Sequence, residues 1–149
     1  RVAELAVGAD QWIVWCGLND EASQATAAID GAVNVEGSIP AEAKAEALEA
    51  FQDGQIRVLV TKPSIAGFGM NFQNCHRMAF LGMSDSYESY YQAIRRCWRF
   101  GQQHPVDVHI VVSELEQEIV RNVMDKESVA SEFTAGLIRH SPIRQGAPA

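Results

Sequence analysis

The residues best equipped for chemistry lie between Gln92 and Gln102, in the run QAIRRCWRFGQ. Gln92, Arg96 and Arg99 are four and three residues apart, so on a helix they share one face. Tyr87, Tyr91, Ile94 and Trp98 mark an apolar stripe on nearly the opposite face. The pattern predicts a helix that opens at Ser84 or Asp85 and ends near Gly101. One side would pack on a core, and the other would present two guanidiniums and an amide. Arginine is always charged, planar and rich in donors, which suits it to phosphoryl oxygens. The chemistry indicated is stabilisation of negative charge on a nucleotide, with Arg96 and Arg99 as the acting groups. The same pattern also describes an ordinary solvated helix face.

A second signal lies in Lys62–Asn74, KPSIAGFGMNFQN. Gly67 and Gly69 permit backbone angles closed to other residues and let a ligand or another chain come close. Lys62 and Ser64 are residue types that contact phosphate oxygens, and the Asn71 amide can hydrogen-bond. An ordinary tight turn would use the same glycines. Asp20–Glu21–Ala22–Ser23 imitates a helicase metal-site signature, but Gly17, Leu18 and Asn19 separate it from the preceding strand. Acids at a helix N-terminus are the simpler reading. No GxxxxGK[ST] loop occurs, so nothing here would cradle a triphosphate unaided.

Charge supports a divided molecule. The chain has 149 residues, the size of one domain, and a net charge of −7. That balance argues against a generic nucleic-acid binder. Residues 1–53 hold 2 basic and 10 acidic side chains, whereas residues 54–104 hold 6 basic and 2 acidic. A local positive surface is what a phosphate-handling site requires. Cys16, Cys75 and Cys97 are distant in sequence and form no CxxC pair, so they read as reduced packing residues in a cytoplasmic setting. Cys75 and His76 would point to opposite faces of a strand, and no metal site is expected. No signal-peptide pattern or long apolar run appears, and no membrane association is expected. Arg1 is not a natural start residue, which suggests an excised piece. Residues 1–10 read as an extension or linker, 11–140 as the folded domain and 141–149 as a flexible tail, both ends frayed.

The elements alternate. WIVWC (Trp12–Cys16) is a continuous apolar run, the mark of a strand covered on both faces. Further strands are expected at Ala32–Val35, Ile56–Thr61, Met78–Leu81 and Val106–Val112. Helices are expected at Ala22–Ile29 and Ala41–Phe51, and after Ser113, which forms an S-x-x-E capping box with Glu116. In the last helix Leu115, Ile119, Val123, Phe133 and Leu137 form the apolar set. Such alternation implies an α/β fold with a mostly parallel sheet between helix layers, and ligands gather at the carboxyl ends of such strands.

With both segments in view, the sequence resembles the C-terminal RecA-like lobe of a superfamily 2 helicase, nearest to Swi/Snf-type translocases and their phage or bacterial relatives. The family's last motif, approximately QAxxRxxRxGQ, is matched by Gln92, Ala93, Arg96, Arg99, Gly101 and Gln102. Its preceding motif ends in GxGxNL, matched by Gly67, Gly69 and Asn71, with Phe72 in place of Leu. Glu36–Gly37–Ser38 resembles the family's (D/H)GS turn. Arg95 stands where remodellers have an acid and Trp98 where they have His or Tyr, while Pro63 and Ile65 interrupt the glycine-rich lead-in.

The resemblance implies a single-domain RecA-like three-layer sandwich. It makes Arg96 and Arg99 arginine fingers, places Gln92, Gly67, Gly69 and Asn71 about the nucleotide, and sets Gly37, Ser38, Lys62 and Ser64 against nucleic acid. ATP and Mg²⁺ would be held mainly by an N-terminal RecA-like lobe absent from this chain, and the nucleic acid expected is DNA. Two rivals come from the residues themselves. A stand-alone nucleotide-binding α/β domain would use Glu36 on a ribose. A non-catalytic docking module would use only the basic face.

Overall fold

Five strands are present: β1 (Trp12–Cys16), β2 (Ala32–Val35), β3 (Val58–Thr61), β4 (Arg77–Leu81) and β5 (Asp107–Val111). The helices are α1 (Val2–Leu5), α2 (Asn19–Ala28), α3 (Ala41–Gln52), α4 (Tyr87–Ile94) and α5 (Gln117–His140). This computed structural model describes residues 1–65, 70–82, 84 and 86–140. The strands form one sheet in the order β2-β3-β1-β4-β5, and every neighbouring pair is parallel.

β1 is central because it pairs with β3 on one side and β4 on the other. All of its residues are buried, as the unbroken apolar run requires. Alternate side chains enter different cores. Ile13 and Trp15 pack with residues of α3 (Phe51), α4 (Tyr90, Ala93) and α5 (Val123). Trp12, Val14 and Cys16 pack with Val2 of α1 and with Ala22 and Ala25 of α2. The sheet is thus a middle layer with helices on both faces, the α/β sandwich anticipated above.

Several local readings change. Residues 1–10 were expected to fray, but Val2 and Ala6 are buried. The Arg57 guanidinium donates to the carbonyls of Ala6 (2.8 Å), Gly8 (3.2 Å) and Asp30 (2.9 Å), tying this segment to the sheet. The Ser113–Glu116 box forms, with Ser113 N and Oγ both donating to Glu116 Oε2 at 2.9 and 2.8 Å. It opens a 3₁₀ turn rather than the helix itself, which turns Leu115 outward at 94% exposure. Ile119 and Val123 do face the core. The side chains of Phe133 and Leu137 lie outside the described residues, as does segment 141–149.

The largest change concerns α4, which stops at Ile94 instead of running to Gly101. Its buried residues are Tyr90 and Ala93, followed by Cys97 beyond its end. Tyr87 and Ile94 pack at the edge of that core, and Trp98 is 59% exposed. The predicted stripe is thus out of phase with the buried set, and the helix tightens after Ile94. There Arg96 N bonds to Ala93 O and Cys97 N to Ile94 O, each three residues back.

Phe72 takes the place of the family's Leu and is fully buried, edge-on to Phe51 with ring centroids 5.4 Å apart. Phe72→Ala is expected to cost about 3–5 kcal/mol, the usual range for emptying a buried ring. Phe72→Leu keeps most of the volume and should cost clearly less. Urea midpoints at constant m-value measure both.

Candidate functional site

The sequence-predicted residues fall at two opposite ends of the sheet. At the carboxyl ends, β2 leads into the Gly37–Ser38 turn and β3 leads into a turn at Lys62–Ile65, closed by Ile65 N to Lys62 O at 3.0 Å. The turns are adjacent: a side-chain carbon built on Gly37 would lie 4.0 Å from Ile65 Cδ1. Lys44 Nζ donates to Gly37 O at 3.0 Å, which adds a cation beside the exposed Gly37 and Ser38. Gly37, Ser38, Lys62 and Ser64 are therefore brought together. Lys44 was not singled out in the sequence because α3 shows it only as one more polar helix position.

The second group stands near the amino ends of the strands. α4 starts after β4, so it runs back along the sheet and delivers its end to the opposite edge. The Arg96 carbonyl accepts from Phe72 N at 2.8 Å. Cys75, three residues further on, is anchored at the start of β1, where its Sγ donates to Gln11 O at 3.3 Å. Gln102 Nε2 donates both to Cys75 O (3.0 Å) and to Cys97 O (3.1 Å), locking the two segments together. This end-of-helix clamp explains why α4 stops early. The carbonyls just beyond it, of Arg96 and Cys97, accept from Phe72 N and Gln102 Nε2, and Gly101 turns the chain with φ +96°.

Gln92, Arg96 and Arg99 consequently do not share one helix face. Gln92 is exposed on α4, Arg96 is half-buried in the turn beyond it, and Arg99 is exposed in the bend that follows. Burial first, and the nearby Arg99 charge second, hold the Arg96 guanidinium below its ordinary pKa. Arg96 and Arg99 thus place like charges near one another at a partly desolvated position.

Asn71 lies on this same side. Its Oδ1 accepts from Gln73 N at 3.1 Å and its carbonyl from Gln52 Nε2 at 2.6 Å. Gly67 and Gly69 lie outside the described residues. The positive middle third is less available than its composition implies. Arg57 holds backbone carbonyls, Arg77 pairs with Asp10 at 3.2 Å, and Arg95 lies over the Tyr91 ring. Glu36, the acid a ribose-binding domain would need, accepts from Asn34 Nδ2 at 2.7 Å. Glu21 accepts from Gly17 N and Leu18 N, the N-terminal capping role expected of it in place of metal binding.

A profile of the helicase conserved C-terminal domain family matches residues 8–101. The chain belongs to this family. The helicase C-terminal domain also has solved structural likenesses. The C-terminal part of the Fun30 ATPase domain superposes with a TM-score of 0.64 at 17% identity, covering 76% of this chain. This chain spans only 39% of that Fun30 chain. The C-terminal domain of S. cerevisiae Dbp5, solved bound to Gle1 and IP6, gives 0.71 at 13% identity, covering 85% of this chain and 76% of that one. At such identities the likeness establishes the RecA-like fold of helicase C-terminal domains. No curated protein matches the chain in sequence. Among the described residues of this helicase C-terminal domain, no helix is long and apolar enough to cross a membrane.

Two outcomes test the geometry. Gln102→Ala leaves two carbonyls without their donor and is expected to cost about 1–3 kcal/mol, read from denaturant midpoints. The second test concerns Cys16. Burial first, then the Glu21 carboxylate, pushes its thiol up to about 12 from an ordinary 9.0. The folded state then holds this proton where the unfolded chain has released it. Its contribution to stability falls as pH rises from about 9 towards 12. Cys16→Ala is expected to flatten the alkaline limb of a stability–pH profile.

Proposed function

We propose that this chain is the second motor lobe of an ATP-dependent helicase or nucleic-acid translocase of superfamily 2, nearest in kind to the Swi/Snf-type translocases. The observation that most supports this reading is the Phe72–Arg96 bond. One segment begins beside the Gly37–Ser38 turn at one end of the sheet and finishes against the arginine turn at the other. A nucleic-acid strand held by Gly37, Ser38, Lys62 and Ser64 would therefore pull on the same stretch of chain as a nucleotide met by Arg96 and Arg99. DNA is the expected strand, and a cytoplasmic setting suits the three free, buried thiols.

In this reading an N-terminal RecA-like lobe binds ATP and Mg²⁺. Among the described residues no three His, Cys, Asp or Glu side chains gather to hold a metal. Closure of the two lobes brings Arg96 and Arg99 to the γ-phosphoryl group. Their charges neutralise what develops on the transferring oxygens, and Gln92 lies near the nucleotide. Partial burial of Arg96 strengthens that effect, because less water screens it. Gly67, Gly69 and Asn71 lie in the segment that transmits the change to the strand at the far end.

Kinetics of the complete two-lobed protein test the assignment. Arg96→Ala and Arg99→Ala are each expected to lower kcat by about 10³ to 10⁵, the range for a lost arginine finger. ATP affinity should change little. A large loss of affinity with normal turnover would contradict the finger role. The isolated lobe should not hydrolyse ATP.

A further inference from the structure

Two of the free thiols meet inside the fold, and neither site group assigned above uses their chemistry. Cys75, in the loop before β4, and Cys97, in the turn after α4, are both fully buried. The Cys97 thiol donates a hydrogen bond to Cys75 Sγ, so the two sulfurs are in direct contact. The backbones on either side are held together twice. Gln102 Nε2 lies 3.0 Å from Cys75 O and 3.1 Å from Cys97 O, and Phe72 N bonds to Arg96 O at 2.8 Å. A disulfide needs two residues that are close and whose side chains are directed at one another. Both conditions hold here.

The pair is also chemically uneven. Cys75 Sγ lies 3.3 Å from Gln11 O and 3.2 Å from Arg77 O. The hydrogen bond from Cys97, and after it the Arg77 and Ile13 backbone, hold the Cys75 thiol below its ordinary pKa against the opposing effect of burial. The same bond pushes Cys97 the other way. A thiolate is the attacking species in disulfide exchange, so Cys75 is the nucleophile and Cys97 the resolving thiol. Cys16 can take neither part, because it packs in the core on the other face of the sheet.

We propose that Cys75 and Cys97 form a redox latch beneath the arginine turn, closed by a small-molecule disulfide such as oxidised glutathione. The Cys75 thiolate attacks one sulfur of the oxidant and expels the first glutathione thiolate. Cys97, deprotonated, then attacks the Cys75 sulfur of the mixed disulfide and expels the second. One protein disulfide forms, the oxidant disulfide is reduced to two thiols, and the two cysteine protons end on them. Because both sulfurs are buried, the first attack waits for local opening of the turn. The product ties the loop before β4 to the turn that carries Arg96 and Arg99. In a reducing compartment such disulfides are transient and redox-sensing. The inference goes beyond the motor reading and stands without it, since it concerns one joint within this lobe.

The test uses this chain, folded and reduced. It is incubated with oxidised glutathione, quenched in acid and alkylated in denaturant. Peptide mass mapping should find Cys75 joined to Cys97 and Cys16 alkylated. Hydrogen exchange then compares the oxidised and reduced forms under native conditions. The Arg99 and Gln102 amides, which bond to Cys97 O and Arg99 O, should exchange at least about tenfold more slowly once the cross-link removes open states, and dithiothreitol should restore the original rates. Cys97→Ala lacks the resolving thiol and should retain glutathione on Cys75. Should that variant melt too low to study, Cys97→Ser gives the same trap. The proposal is overturned if Cys75 and Cys97 stay alkylatable in the folded chain, or join only after denaturation. It is equally overturned if the joined pair leaves exchange in the turn unchanged, or if glutathione in the variant sits on Cys16 instead.

Discussion

One amide side chain holds the working geometry of this lobe together. Gln102 donates through a single nitrogen to Cys75 and Cys97, and its oxygen accepts from His104 N at 3.1 Å. Its hydrogen-bonding capacity is therefore filled on both sides. The residues it joins come from the loop before β4 and the turn after α4, which are distant in sequence and are also tied by the Phe72–Arg96 bond. Cys75 and Cys97, fully buried, make thiol contact inside this clamp. The hydrogen bond it donates to Cys75, with burial second, pushes the Cys97 thiol well above its ordinary range. The pair acts as a small, close-packed joint, and the arginines stand directly beyond it.

The separation of the two site groups follows from helix direction. A helix that follows a strand in a parallel sheet must run back antiparallel to it, and α4 has 8 residues, or about 12 Å of rise. That length carries the chain from the carboxyl edge to the amino edge. The Gly37–Ser38 and Lys62–Ile65 turns remain where the strands end, while the arginines arrive where they begin. Lys62 follows β3 at the carboxyl edge, and Cys75 stands at the amino edge beside Gln11.

Charge is distributed by use more than by amount. Of the six basic residues in the middle third, Arg57 and Arg77 serve the fold and Arg95 is engaged with Tyr91. The remaining three, Lys62, Arg96 and Arg99, divide between the two ends.

The amino-acid sequence alone determined the α/β layering, because an unbroken apolar run such as Trp12–Cys16 has no stable place except a strand covered twice. It also marked the two motif segments, through their resemblance to the family patterns QAxxRxxRxGQ and GxGxN. It could not locate the end of α4. Local periodicity favoured continuation through Trp98, and the bonds that stop the helix come from Phe72 and Gln102, whose proximity exists only after folding. Nor could it show that Gly37 meets Ile65, that Cys75 meets Cys97, or that Gly82 lies against the Glu21 carboxylate. Each of these pairs residues far apart along the chain, and contacts of that kind are set by strand order, which residue spacing does not encode.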